Sequence, residues 1–396
     1  MRVLSVTAQK PCSTGSGVYL TEVVRSLAKM GVSQAVVAGV TREDRVDMPE
    51  GVTVYPVYFS SEKLPYPVVG MSDEMPYTST RYRDMTEEMA GQFKAAFLEV
   101  LDEAIEKENP DIILCHHLYY LTALIRAHYP AKKVYGFCHN TDLRQMESIL
   151  FERNFIRQEI PKLDRIFALQ EAQKEKIKKI YPVSEKQMTV IGTGYNSEVF
   201  KKTGIKLSRK DGKIRMIFAG KITQKKGVKS LLRALNILDY EKEKIQLILA
   251  GGAGNLVEYE EIKELADGCR YPVVFAGCVT QSRLAELYND CDIFVLPSMY
   301  EGLPLTVIES LACGDRVVMT KLEGIAEWLA DMVPDADIRY VLPPGMKGTD
   351  EPLEEELPAF ESRLAEALRE AIEEKDTKEC DVSRISWQKI AREVIR

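Results

Sequence analysis

The sequence predicts an α/β protein made of two doubly wound parallel-sheet domains, on three observations. Short apolar runs alternate with amphipathic helical stretches, the pattern of parallel βαβ units. The runs form two groups, separated by the polar stretch Lys201–Lys213, which carries no buried pattern. The chain has 396 residues, a length that suggests two or three domains, each able to bury a core. The domain boundary is expected near Asn196–Gly212.

In the first half, strands are expected at Val3–Val6, Ala35–Val40, Val52–Val57, Ile112–Leu114, Lys133–Phe137, Arg165–Leu169 and Met188–Ile191. In the second they are expected at Arg215–Ala219, Gln246–Ala250, Val273–Ala276, Asp292–Leu296, Arg316–Thr320 and Ile338–Leu342. The intervening helices follow the period. After Gly17, residues Val23, Val24, Leu27 and Met30 make one apolar face, and Gly31 stops the helix. Leu231, Leu232, Leu235 and Leu238 repeat this after Gly227. The alternation breaks at Phe59–Thr86, rich in Pro, Tyr, Met and Ser, and so long a loop is expected to be functional or mobile. The acidic stretch from Asp350 to about Asp381 reads as a helix with a solvated face.

Hydrophobic residues make up 45% and charged residues 29% of the chain, ordinary for a soluble enzyme, and the net charge of -7 argues against a nucleic-acid partner. The eight cysteines, Cys12 among them, include no C-x-x-C pair, which removes zinc and thioredoxin-like readings. Several sit in apolar runs, as reduced small hydrophobes. The apolar run at Met1–Val6 is too short for a signal peptide and reads as a first strand. No run of 18 apolar residues spans a membrane. The expected location is the cytoplasm.

Chemistry concentrates in four junctions that each follow a strand. The longest is Pro297-Ser-Met-Tyr-Glu301-Gly302-Leu303-Pro-Leu305-Thr306-Val-Ile-Glu309-Ser-Leu-Ala-Cys-Gly314, which begins as a turn and becomes helical. A strand–turn–helix junction presents free N–H groups and a positive dipole end to an anion. The N–H groups around Leu303, Leu305 and Thr306 can cradle a phosphate. Glu301 and Glu309 flank that cradle and can each accept from a vicinal diol. The second junction, Phe218-Ala-Gly220-Lys221-Ile-Thr-Gln-Lys-Lys226-Gly227, sets lysines where they can neutralise a diphosphate, each contact worth roughly 1.5–3 kcal/mol. The third, Cys12-Ser-Thr-Gly15-Ser16-Gly17, is a glycine loop allowing close backbone approach to a ligand. It lacks the third glycine of a dinucleotide-binding fingerprint. The fourth is Phe137-Cys-His139-Asn-Thr-Asp142. His116, His117 and Tyr119 follow another strand end.

The first junction resembles the E-x7-E segment of the retaining family 4 (group 1) glycosyltransferases, a long and specific pattern. The second resembles that family's G-R/K-x-x-x-x-K-G loop, with Lys221 where Arg is usual, so the charge stays but the bidentate fork is lost. The third resembles the N-terminal Gly-rich loop, and His139 stands where the family has a histidine touching the donor sugar. Gly277-Cys-Val279 resembles the segment whose backbone meets the nucleobase. Gly324-Ile-Ala-Glu327 departs from the G-G-x-P-E loop, with Glu323 for the first Gly and Ala326 for the Pro. Trp387, in Ser386-Trp-Gln-Lys, resembles the final helix that crosses back onto the first domain.

This resemblance implies the GT-B architecture, two Rossmann-like domains facing across a cleft. Residues 1–197 with a C-terminal helix at about 380–396 would bind the acceptor, and residues 198–379 the nucleotide sugar. The implied reaction moves a hexose or N-acetylhexosamine from a nucleotide diphosphate sugar to an acceptor hydroxyl, with retention. His139, Glu301, Lys226 and Lys221 are the implied catalytic residues. Gly15, Ser16, Gly17, Gly220, Val279, Gly302, Leu303, Leu305, Thr306 and Glu309 are the implied donor contacts. A UDP-sugar is favoured by family frequency alone. His116, His117 and Tyr119 are candidates for acceptor contact.

No cofactor is implied. Metal ligation has two sequence candidates, Asp290-Cys-Asp292 and Asp335-Ala-Asp337. The first leads into a strand instead of following one, and the second sits in a polar turn, so neither is assigned a metal. Glycan, lipid, protein and metabolite acceptors all fit, and the lysines of Lys174–Lys179 leave peripheral contact with the inner membrane face open. An epimerase or phosphorylase on the same fold and a non-catalytic nucleotide-sugar-binding protein are the alternatives.

Overall fold

A computed structural model describes residues 1–11, 13–73, 75–204, 206, 211–348, 351–374 and 380–396. Cys12 and parts of the Lys201–Lys213 and acidic stretches lie outside the described residues. The chain divides into two compact units, Met1–Gly194 with Trp387–Arg396, and Tyr195–Ser386.

The N-terminal unit holds strands β1 (Arg2–Thr7), β2 (Ser33–Val40), β3 (Thr53–Tyr58), β4 (Val69–Gly70), β5 (Thr80–Arg81), β6 (Ile112–His116), β7 (Lys133–Phe137), β8 (Arg165–Ala168) and β9 (Met188–Val190). Seven form one parallel sheet in the order β3-β2-β1-β6-β7-β8-β9, and β4 pairs with β5 apart from it. The C-terminal unit holds β10 (Ile214–Ala219), β11 (Ile245–Ala250), β12 (Val273–Gly277), β13 (Ile293–Leu296), β14 (Arg316–Thr320) and β15 (Ile338–Val341), parallel in the order β12-β11-β10-β13-β14-β15. A short antiparallel pair, β16 (Met346–Lys347) and β17 (Glu351–Pro352), follows. All thirteen expected strands are present. Helices cover both faces of each sheet, so the central strands are buried throughout; β6 and β13 expose no residue. Both sheets reverse strand order beside their first strand, between β1 and β6 and between β10 and β13. Ligands of such sheets bind at the C-terminal strand ends next to that switch.

Three local expectations change. The glycine stretch Gly15–Gly17 is not a loop but the first turn of the helix Gly15–Lys29. Thr14 starts it, accepting the Gly17 N–H at 3.2 Å. Phe59–Thr86 is not a loose loop either. Its Phe59, Leu64, Tyr66, Val68, Val69, Met71, Tyr82 and Met85 are buried in the core. They pack with the helix Glu87–Glu108, whose Phe93 and Phe97 rings lie 6.2 and 6.1 Å from Phe59. An irregular but buried segment has no period to read, because its side chains insert without regular backbone geometry. The acidic stretch keeps its solvated face, yet the helix Leu357–Glu373 also buries Leu357, Phe360, Leu364 and Leu368.

The last helix, Trp387–Val394, belongs to the N-terminal unit and packs on Gly15–Lys29. The Trp387 ring meets Tyr19 edge-on at 4.8 Å. It also covers Gly194, where a Cβ would come within 2.4 Å of the indole. Among the described residues no helix is long and apolar enough to cross a membrane.

Candidate functional site

In the C-terminal unit two strand–turn–helix junctions meet. After β10 the chain turns through Gly220 and Lys221 to the short turn Gln224–Lys226, and Gly227 leads into the helix Val228–Ile237. After β13 it runs through Pro297–Pro304 into the helix Leu305–Ala312. A Cβ on Gly227, which has φ +74°, would lie 2.1 Å from the Pro297 carbonyl oxygen, so only glycine lets the turns touch. The Met299 N–H donates to the Lys225 carbonyl at 2.9 Å. Lys226 Nζ then donates to Glu301 Oε1 at 2.6 Å. The carboxylate side chain is 13% exposed and the lysine 27%, so the pair is partly desolvated and still reachable.

Gly302 and Leu303 lie in the turn, and Leu305 and Thr306 open the helix. Pro304 takes the capping position without a side-chain hydrogen bond, and the first turn holds no acid. The helix therefore presents an uncapped, electropositive end. Glu309, one turn further, is 7% exposed. Ser298 is fully buried and its Oγ has no partner among the described residues. Val279 sits two residues beyond β12, before the helix Gln281–Asp290. This arrangement offers a cation and N–H donors to phosphate, and a carboxylate to hydroxyl groups.

In the N-terminal unit the strand ends of β6 and β7 bring three histidines together. His116 Nδ1 and His139 Nε2 share a hydrogen bond at 3.0 Å, with ring planes 12° apart. His117 lies edge-on to His139 at 4.8 Å, and its Nε2 hydrogen-bonds Ser16 Oγ at 3.1 Å. Ser16 and its flanking Gly15 and Gly17 thus stand beside the histidines. Tyr119 does not join them; it is buried against the Tyr82 ring at 4.8 Å. Burial and the neighbouring imidazoles push His116 and His117 well below the usual histidine range, and burial pushes His139 down to about 3. All three are neutral at physiological pH. The cluster can exchange hydrogen bonds but carries no fixed charge.

Several residues that shape this cluster escape sequence reading. Asp142 is fully buried, with burial raising its carboxyl above the usual range. It accepts the Leu118 N–H at 2.7 Å and the His139 N–H at 3.2 Å, stapling the loop after β6 to the loop after β7. His117 and Asn140 hold φ of +75° and +72°, uncommon for residues other than glycine. Tyr19 touches His139 at 5.2 Å and Trp387 at 4.8 Å, and its hydroxyl donates to the Gly192 carbonyl at 3.1 Å. The only sequence signal was Asp142 near a helix start, a common capping pattern.

Of the D-x-D carboxylates, Asp290, Asp292 and Asp337 meet arginine groups. Asp292 accepts the Arg215 N–H at 2.9 Å, and Asp290 lies 3.5 Å from the Arg215 guanidinium. Asp337 pairs with Arg316 at 3.4 Å and Arg339 at 2.5 Å. Among the described residues no group of three His, Cys, Asp or Glu could hold a metal. In the lysine run, Lys174 pairs with Glu171 and Glu185, and Lys178 with Glu175 and Glu185.

The two parallel-sheet units define a GT-B fold. Sucrose-phosphate synthase from Thermosynechococcus elongatus superposes with a TM-score of 0.70 at 15% identity, covering 100% of this chain and 97% of that one. Anabaena HepE, solved with UDP and glucose, gives 0.63 at 14% identity, covering 100% and 98%. The sequence model "Glycosyltransferase Family 4" matches residues 13–199, and "Glycosyl transferases group 1" matches residues 200–356. The chain belongs to the family 4, group 1 glycosyltransferases. An uncharacterized glycosyltransferase of Methanocaldococcus jannaschii is 29% identical over 172 residues, 41% of this chain and 44% of that protein. The alpha-maltose-1-phosphate synthase of Mycobacterium tuberculosis is 24% identical over 253 residues, 58% and 61% of the two chains. The aligned stretches thus span about half the length of these relatives.

Proposed function

We propose that the protein transfers a hexose or N-acetylhexosamine from a nucleotide diphosphate sugar to an acceptor hydroxyl, with retention and without a metal ion. The observation that carries this is the Lys226–Glu301 pair, 2.6 Å apart beside the uncapped start of Leu305–Ala312. Lys226 and Lys221 meet the diphosphate together with the N–H groups of Leu303, Leu305 and Thr306. Glu301 accepts from the transferred sugar and Glu309 from the ribose. Gly220, Val279 and Gly302 bring backbone to the donor. In the N-terminal unit, Gly15, Ser16 and Gly17 allow close backbone approach to a ligand and the neutral His139 offers a hydrogen bond to a sugar hydroxyl. His116 and His117 stand next to His139.

The acceptor oxygen bonds to the anomeric carbon as the bond to the diphosphate breaks, and the departing phosphate oxygen takes the acceptor's proton. Charge grows on the diphosphate in that step, so a lysine fixed beside it stabilises the transition state more than the ground state. UDP is the favoured nucleotide, in keeping with the UDP complexes of HepE.

A thermal-shift panel of nucleotide sugars, run with and without EDTA, tests the reading. A donor at about 100 times its Kd adds about 2.7 kcal/mol of stability. Stabilisation by one nucleotide class, unchanged by EDTA, is expected. No stabilisation by any nucleotide sugar would remove the donor site. Anomeric NMR of the product reads retention, and an inverted product would overturn that part alone. Donor conversion without an acceptor would indicate an epimerase.

A further inference from the structure

Glu258 lies in the first turn of the helix Leu256–Asp267 that follows β11, and it is half-buried. An acid at that position ordinarily serves the dipole of its own helix. This one also reaches another element. Its Oε1 accepts the Gln224 N–H at 2.7 Å, 34 positions away in the chain. Gln224 is the first residue of the turn Gln224–Lys226, which carries Lys226.

The bond fills a specific gap. The first N–H groups of a helical turn lack partners inside it and are met by side chains from outside. Thr223, at the start of this turn, makes no side-chain cap. Glu258 takes that place from the next loop. Its own backbone is fixed one step earlier: Asn255 Oδ1 accepts the Val257 N–H at 2.8 Å and the Glu258 N–H at 3.3 Å.

The surroundings keep the same register. Beyond their last residues β10 and β11 stay paired. The Gly220 N–H donates to the Ala250 carbonyl at 2.9 Å, and the Ile222 N–H to the Gly252 carbonyl at 3.0 Å. A Cβ on Gly251, which has φ +147°, would lie 1.7 Å from the Gly220 carbonyl oxygen, so the two loops touch backbone to backbone. On the other side the Met299 N–H donates to the Lys225 carbonyl, and Gly227 rests on Pro297. The Gln224–Lys226 turn is thus held at its first residue from the loop after β11, and at Lys225 and Gly227 from the loop after β13. Between those grips the Lys226 ammonium meets Glu301 at 2.6 Å.

The sign of the charge separates two roles for this carboxylate. A carboxylate standing near a phosphate site with no other task repels the ligand, and its removal tightens anion binding. A carboxylate that holds the lysine does the opposite, because its removal loosens the turn and weakens binding. We infer that Glu258 is a positioning residue of the donor site, which caps the Gln224–Lys226 turn and so holds Lys226 where a nucleoside diphosphate meets it. This rests on the transferase reading above.

Titration calorimetry with UDP, GDP and ADP tests this without an acceptor. Kd is measured for the parent, Glu258→Ala, Glu258→Gln, Lys226→Ala and the double variant Glu258→Ala/Lys226→Ala. Glu258→Ala should weaken the preferred diphosphate about tenfold, and Glu258→Gln, whose amide oxygen still accepts the N–H, should restore it to within about twofold. In the Lys226→Ala background Glu258→Ala should cause no further loss, since both changes act through one ammonium. Amide exchange at Gln224 should quicken in Glu258→Ala and stay slow in Glu258→Gln. Tighter or unchanged binding by Glu258→Ala, with Lys226→Ala weakened, overturns the inference and leaves the donor reading standing. So does a loss that persists in full without Lys226, a loss that Glu258→Gln shares, or Gln224 exchange that Glu258→Ala leaves unchanged. A Tm more than about 5 °C below the parent's in Glu258→Ala would make the bond a general support of the unit, and also overturns it. A parent that binds no diphosphate, or a Lys226→Ala protein that binds as the parent does, overturns the donor reading and this inference together.

Discussion

Lys226 and Glu301 are 75 positions apart and meet at 2.6 Å. In the proposed reaction a lysine held at that point gains strength as charge grows on the leaving diphosphate, so Lys226→Ala is expected to lower kcat by about 30- to 1000-fold, the equivalent of roughly 2–4 kcal/mol. Steady-state kinetics at saturating donor checks this, and unchanged turnover would remove Lys226 from the chemistry. Burial keeps the three histidines from taking up a proton. Their folded pKa values lie below the unfolded value of about 6.5, to about 3 for His139. Below pH 6.5 the unfolded chain therefore binds protons that the folded chain refuses, and stability falls. Each histidine contributes a slope of up to about 1.4 kcal/mol per pH unit from there down to its folded pKa. Denaturation midpoints measured from pH 7.5 to 5 should fall, and a His139→Gln protein should show a shallower fall. At this scale the sequence marked His139, Glu301 and Lys226 through the motifs they stand in and the family those motifs resemble. It carried no mark for Tyr19, whose hydroxyl donates to the Gly192 carbonyl, because such a contact is a property of three-dimensional surroundings.

The elements set these residues in place through backbone contacts. Gly227 lets the turn after β10 rest on Pro297, and a methyl group there has no space. Gly227→Ala is expected to cost about 2–4 kcal/mol of stability, since the φ of +74° and the close carbonyl both oppose a side chain. Chemical denaturation measures it, and a stable variant with an intact donor-induced shift would show that the two turns need not touch. Asp142 has the matching role in the other unit. Asp142→Ala leaves the buried Leu118 and His139 N–H groups unmatched and should cost about 2–4 kcal/mol. Regular elements were the most legible level, because β-branched runs and a 3.6-residue period are local signals. Phe59–Thr86 was not legible for the opposite reason. Its buried residues follow no period, and only the facing Phe93 and Phe97 explain them.

At the scale of the whole chain, the last ten residues complete the first unit, although the second unit lies between them in sequence. Trp387, Ile390, Ala391 and Val394 are buried, with Trp387 against Tyr19 and Gly194. Trp387→Ala should cost about 3–5 kcal/mol, as large aromatic truncations in cores do. Calorimetry should show the loss in the transition of the N-terminal unit, with that of Tyr195–Ser386 unmoved. A shift confined to the other transition would contradict the assignment of this helix. By itself the sequence determined two parallel α/β sheets, the order of their strands along the chain and the strand–turn–helix junctions where glycines and charged residues collect. Those features rest on short-range pattern: alternation, turn glycines and charged residues at strand ends. The tertiary structure alone decided that the Lys226 turn meets the Glu301 turn and that three histidines share one neutral cluster. Such facts depend on residues far apart in sequence, and on burial that no local pattern encodes.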